Sequence, residues 1–177
     1  MRTKKFLLLL LTLSFIFLLA ACDDIDTSQP AQQPAQAPVT PTPTESVAQQ
    51  ANDAVQSANL AGTNVKVSLS GSDLTVSEDL TQYEIGGNGL IVDNIKQGCY
   101  DMQKAVWTSS VSKHLNQVKL NVTMDTQDQY GKVYHNTLVG YCMLTQKTAS
   151  LFQWDNLSRE DAWKVYDSTW LISFLTQ

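Results

Sequence analysis

The sequence predicts an α+β domain: an antiparallel sheet of four to five strands with one long helix packed on a face and a C-terminal helix. Three observations predict it. From Val65 to Val76, and again from Val118 to Leu144, apolar residues recur at every second position, the period of strands with one buried face. Between those stretches, Leu90 to about His114 recurs at 3.6, the period of an amphipathic helix. Turn-forming clusters separate them: Ser70-Gly71-Ser72-Asp73, Gly86-Gly87-Asn88-Gly89 and the stretch Asp125 to Lys132.

In chain order, Val65, Val67 and Leu69 alternate with polar residues, and Leu74 and Val76 resume the alternation beyond the turn, which predicts a hairpin. A shorter run around Tyr83 and Ile85 leads to the glycine cluster. That cluster lacks the Lys-Ser/Thr ending of a phosphate loop and is read as a turn. In the helix, Ile91, Ile95, Cys99, Met102 and Val106 share one face. Gly98 inside it costs roughly 1 kcal/mol against alanine unless it permits close packing. Val118, Leu120, Val122 and Met124 form a half-buried strand. Val133 to Leu144 forms a long one with apolar groups on both faces, a central strand whose Tyr134, Leu138 and Cys142 side lies under the helix if Cys142 meets Cys99. Lys147 to Trp154 is an element of undecided type. Ser158 as N-cap, Asp161 three positions on, and Leu157 against Ala162 begin a last helix. Trp163, Tyr166, Trp170 and Phe174 follow at helical spacing, although Thr169 to Leu175 reads equally as a strand.

The domain hangs from an export signal. Arg2, Lys4 and Lys5 precede an apolar run from Phe6 to Leu19, which closes on Leu19-Ala20-Ala21-Cys22. This ending resembles the lipobox of bacterial lipoproteins. The resemblance implies removal of residues 1–21, a lipid on Cys22 and attachment to a membrane of the bacterial cell envelope, facing the periplasm or the extracellular side. An uncleaved transmembrane anchor is the alternative, and the run is shorter than the ~20 residues a span requires. Two or more acyl chains suffice for stable anchoring. Asp23, Asp24 and Asp26 either form an inner-membrane retention signal like that of enteric lipoproteins or simply begin an acidic linker.

With Cys22 assigned to lipid, Cys99 and Cys142 remain, and outside the cytoplasm such a pair oxidises, so the resemblance implies a Cys99–Cys142 disulfide. Two buried free thiols are the competing reading. All five prolines fall between Thr27 and Glu45 among Gln, Ala, Thr and Ser, a composition that buries no core and reads as a tether. Ser46 to Gly62 carries Val47, Ala51, Ala54, Val55 and Ala58 at helical spacing, a short alanine-rich stalk helix or a two-heptad coiled-coil pattern. The predicted organisation is therefore a cleaved signal at 1–21, a lipid-anchored tether at 22–62 and a globular domain at 63–177.

The chain carries 12 basic and 17 acidic residues, and loss of Arg2, Lys4 and Lys5 leaves nine basic side chains and a formal charge of −8. Such a balance speaks against nucleic acid, whose phosphates require basic side chains. His114 and His135 have no Cys or acidic partner at zinc-ligand spacing. Asp125 and Asp128 fail the calcium-loop pattern, since Gln127 and Gln129 stand at ligand positions and Tyr130 where the glycine belongs. No nucleophile motif and no distinguishable carboxylate pair appears, so neither a cofactor nor a catalytic residue is expected. Of the four tryptophans, Trp154 precedes the last helix in a loop and is the best candidate for an exposed recognition side chain; Tyr130, Asp125 and Asp128 at a hairpin tip are the others. The expectation is a non-catalytic, lipid-anchored envelope protein that presents a small domain to a protein or cell-wall partner. The alternatives are an inhibitor or immunity lipoprotein that blocks an incoming enzyme, toxin or phage, and an enzyme with an unrecognised site.

Overall fold

The computed structural model describes residues 45–176, apart from the side chains of 84–86. The signal, Cys22 and the tether up to residue 44 lie outside the described residues. Helix α1 (Val47–Gln56) precedes strands β1 (Thr63–Ser70) and β2 (Asp73–Asp79); a 3-10 turn, Thr81–Gly86, leads into helix α2 (Gly87–Thr108). A second 3-10 turn, Ser110–His114, is followed by β3 (Gln117–Gln127), β4 (Val133–Thr145) and the short helix α3 (Gln146–Ala149). Helix α4 (Arg159–Val165), strand β5 (Ser168–Leu171) and a 3-10 turn at Ser173–Thr176 complete the domain. Among the described residues no helix is long and apolar enough to cross a membrane.

The expected α+β class is found, with a five-stranded sheet in the order β1-β2-β3-β4-β5. The sheet is mixed rather than wholly antiparallel. β2 and β3 run parallel, with Leu74 opposite Val118 and Glu78 opposite Val122. The reason is the connection: a strand that returns through a 22-residue helix re-enters the sheet from the same end, whereas a tight turn reverses it. Short loops reverse β1 into β2 and β3 into β4, while β4 and β5 are antiparallel across the longer connection through α3 and α4. Ser70 faces Asp73 across a two-residue loop, where Gly71 sits at φ 62°, a conformation that glycine adopts without strain.

α2 crosses one face of the sheet and buries Ile91, Ile95, Gly98, Cys99, Met102 and Val106. Leu74, Val76, Val118, Leu120, Val122, Cys142 and Leu144 meet it from the strands, all of them essentially inaccessible to solvent. The approach is close, since a Cβ on Gly140 of β4 would stand 3.1 Å from Ile95 and from Leu171. Buried Gln103 is fully paired: its amide donates to the Val118 carbonyl at 2.9 Å and its oxygen accepts the Trp107 indole N–H at 2.8 Å. Cys99 and Cys142 join helix to sheet at disulfide distance, with Cα atoms 6.1 Å apart.

Three expectations need correction. The helix at Ser46 to Gly62 is not a stalk, because α1 buries Ala51, Ala54 and Val55 in the same core, so the globular part begins near residue 45 rather than 63. Its cap is as expected, with the Gln49 N–H donating to Ser46 Oγ at 3.2 Å. Tyr134 and Leu138 do not lie under α2 with Cys142. Val122 pairs with Gly140 but Thr123 pairs with Leu138, so Val139 is an extra residue that sets Leu138 on the face opposite Cys142; a second irregularity between Met124 and Thr126 returns Tyr134 to the Met124 side, where it stands exposed on the hairpin. The run of Trp163, Tyr166, Trp170 and Phe174 is not one helix face, since α4 ends at Val165 and Trp170 lies on β5. Ser158 caps α4 as expected: its Oγ accepts the Asp161 N–H at 3.2 Å and donates to Asp161 Oδ2 at 2.7 Å.

Candidate partner-binding surface

The β3–β4 hairpin runs past its neighbours. β2 last pairs with β3 at Thr123, and β5 last pairs with β4 at Gly140. Beyond those points Met124–Gln127 and Val133–Thr137 pair only with each other and project as a two-stranded arm, with Leu138 at its base opposite Thr123. An isolated hairpin is marginal in water, so this one requires its own fastenings.

Asp125 and Asp128 provide them. Asp125 Oδ1 accepts the Asn136 N–H at 3.0 Å and Oδ2 meets His135 Nδ1 at 2.6 Å, which holds Asn136 at φ 53°. The Asp125 N–H donates to Thr81 Oγ1 at 2.9 Å, and Thr81 donates onward to Asp79, so the base of the arm is tied to the sheet. At the tip, Asp128 Oδ1 accepts the N–H groups of Tyr130 and Lys132 at 2.9 and 3.0 Å, while Gly131 at φ 82° turns the chain. The His135 hydrogen bond first, then that from Asn136, holds the Asp125 carboxyl below the usual range; the Lys132 N–H does the same for Asp128.

Both carboxylates thus build the arm rather than offer free charge. Their depressed values fix the direction of a pH effect: the stabilisation is complete above the ordinary aspartate value near 3.8 and is lost as pH falls through the folded values. Amide protection at Asn136, Tyr130 and Lys132 is expected to collapse in acid before that of the Leu120–Cys142 region, measurable by amide exchange. Asp125→Asn should abolish that order at the Asn136 end.

The arm presents apolar groups to solvent. Tyr130 is 85% exposed, and Val133, Tyr134 and Leu138 are also exposed. Lys132 Nζ lies 4.8 Å from the centre of the Tyr134 ring. Leu138 continues this surface onto the sheet face opposite α2, where Lys66, Ser77, Lys119, Asn121 and Tyr141 are none of them buried. Register places Lys66, Ser77, Asn121, Tyr141 and Trp170 in one row across all five strands. Tyr141 stacks on Trp170 with centroids 6.1 Å apart and has Lys119 Nζ 4.5 Å from its own ring centre. Trp170 is the exposed tryptophan of the surface, at 40%.

Trp154, expected to be exposed, is buried at 8%. It packs against Phe152 at 5.0 Å and Tyr100 at 6.1 Å, and its carbonyl accepts the Tyr100 hydroxyl at 2.9 Å. Its loop is held down by non-local aromatic contacts that sequence position does not reveal. Sequence reasoning also passed over Glu78. Its alternation with Leu74 and Val76 marks it as inward-facing, and it is 1% exposed.

A depression of about 290 Å³ lies among Trp107, Ser112, Lys113, Gln146, Ala149 and Ser150, with Lys113 its one ordinarily charged group. Among the described residues no three His, Cys, Asp or Glu side chains gather as a metal site. No family model, no curated protein and no solved structure matches the chain.

Proposed function

We propose that this chain is a non-catalytic, lipid-anchored protein of the bacterial envelope whose hairpin arm and adjoining sheet face dock a protein partner. The observation that carries the reading is the arm: exposed Tyr130, Val133, Tyr134 and Leu138 on a hairpin fastened by its own aspartates. A pre-ordered segment that displays aromatic and apolar side chains binds with little ordering cost, and such residues dominate interface energetics. The Lys119, Tyr141 and Trp170 stack extends the apolar surface beyond the arm. The Leu-Ala-Ala-Cys ending at Cys22 supports the anchor and the location.

The projecting arm also favours a second reading, an inhibitor that inserts the hairpin into the cleft of an incoming enzyme. The partner's response separates the two: an inhibited partner loses activity on binding, whereas an assembled one retains it.

Photo-crosslinking in intact cells tests the docking surface. A crosslinker at Tyr130, Val133 or Trp170 is expected to give a discrete adduct, and one at Leu151, which is 77% exposed away from the arm, is not. Equal labelling from Leu151, or no adduct from any arm position, would sink the reading. Tyr130→Ala combined with Val133→Ser is expected to cut the Trp170 adduct at least tenfold while leaving the urea unfolding midpoint unchanged, because exposed side chains contribute little to stability. Cys22→Ser is expected to release the protein from the membrane fraction, and the peptide starting at Cys22 should carry the mass of its lipid.

A further inference from the structure

α1 is joined to the sheet by residues 57–62, and this link is fastened at its end by a buried acid. The Gly62 N–H donates to Glu78 Oε2 at 2.9 Å, and the neighbouring Ala61 carbonyl accepts the Gln82 amide at 2.8 Å. Glu78 is 1% exposed, and its second oxygen, Oε1, has no hydrogen-bond partner among the described residues. Two glycines make the space it occupies. A Cβ on Gly98 of α2 would stand 2.6 Å from Oε1 and 3.5 Å from Leu60, and a Cβ on Gly62 would stand 2.7 Å from Oε2.

Among the described residues nothing charged compensates this carboxyl. Across the ladder β3 sets Val122 against it, and β1 opposes it with the irregularity between Thr63 and Lys66. The charged groups of the surrounding elements are engaged elsewhere: Asp53 with Gln49, Asp79 with Thr81, Asp101 with Gln97, and Lys96 with Glu160. Other charges on α2 and β3 also find different neighbours, with Asp93 at Arg159, Lys104 at Asp155, Lys119 over Tyr141 and Asp125 at His135; Lys66 on β1 is exposed.

We propose that Glu78 is a proton-operated latch: protonated, it holds the Leu60–Gly62 link and helix α1 against the sheet, and deprotonated, it favours a state in which link and helix lift to hydrate the carboxylate. Burial pushes the carboxyl up to about 7, with the Gly62 bond opposing. In the lifted state the group is solvated and titrates in the ordinary carboxylate range. A raised value in the closed state means that closure is fully favoured below the ordinary range and loses ground as pH climbs toward 7. α1 has little to resist with, since it buries two alanines and one valine. Because α1 follows the proline-rich segment directly, the latch sets how much chain separates the sheet from the anchor in the proposed lipoprotein. The latch itself rests on the geometry around Glu78 and stands apart from the partner reading.

Amide exchange on the full chain, corrected for intrinsic rates, tests it. Between pH 5 and pH 8 the opening constant of the α1 amides and of the Gly62 N–H is expected to rise on the order of a hundredfold. The Leu120–Cys142 ladder amides should stay level. Glu78→Gln and Glu78→Leu should each make α1 opening independent of pH, and two variants guard against one folding poorly. Carbon-detected titration of the Glu78 carboxyl should give a midpoint near neutrality. A pH-independent α1 in the wild type, the same pH response in both variants, or titration in the ordinary carboxylate range with α1 still closed at pH 8 would each overturn the latch.

Discussion

Breaking the Cys99–Cys142 link is expected to lower the stability of the oxidised protein by about 4 kcal/mol. The two residues are 43 positions apart, and in the chain-entropy model closing a loop of that length removes about 4 kcal/mol of conformational freedom from the unfolded chain. Native geometry does not oppose the link, since Cα atoms 6.1 Å apart lie within the range that disulfides span. Both residues are fully buried, so replacement by alanine also removes packed sulfur at the point where α2 meets β4. Because the bridge needs both partners, Cys99→Ala, Cys142→Ala and the double variant should fall by similar amounts, each far less than additive. Urea unfolding provides the measurement, and a larger dependence on urea is expected for the variants, whose unfolded chain is more open. Two free thiols in the unreduced protein, or a double variant within about 1 kcal/mol of the parent, would refute the prediction.

What the sequence revealed and what it hid differ in how far apart the deciding residues lie. The stripe Ile91, Ile95, Cys99, Met102 and Val106 identifies α2 because a helix face is written in residues three and four apart. The Ser158 cap is legible for the same reason. The parallel pairing of β2 with β3 is not, because it depends on where a 22-residue helix returns the chain. The extra Val139 leaves the apolar alternation of β4 intact to the eye yet turns Leu138 outward, while Tyr134 is exposed because its end of β4 runs past the neighbouring strands, and this made a buried face of what is an exposed arm. In the same way Asp125 and Asp128 look like free acids until Asn136, Tyr130 and Lys132 are brought to them by the hairpin. Trp154 needed Tyr100 from α2 to be placed. Glu78 was open to discovery, since extending the Leu74 and Val76 period by two positions puts it inside, but an acid on an apolar face is easily discounted.

Gly98→Ala is expected to destabilise the protein by about 1 to 3 kcal/mol, although alanine is the better helix former by roughly 1 kcal/mol. The added methyl would stand 2.6 Å from Glu78 Oε1, far inside contact distance. A glutamate end can usually swing aside, but here Oε2 is held by the Gly62 N–H and Leu60 closes the other side. Relief therefore means either breaking that hydrogen bond or pushing α2 off the sheet, where Ile95 already crowds Gly140. The decisive measurement is a cycle with Glu78→Ala. That change is itself costly, because it leaves a void and an unpaired Gly62 N–H. In its background, however, the 2.6 Å clash is gone, Leu60 lies at an ordinary 3.5 Å from the Gly98 methyl, and the helix-propensity gain should emerge. Gly98→Ala is then expected to be neutral or stabilising by up to about 1 kcal/mol, so the coupling between the two sites amounts to about 1 to 4 kcal/mol. An equal cost of Gly98→Ala in both backgrounds would mean that the glycine serves something other than the buried carboxyl, and the fit between α2 and β2 would need a different explanation.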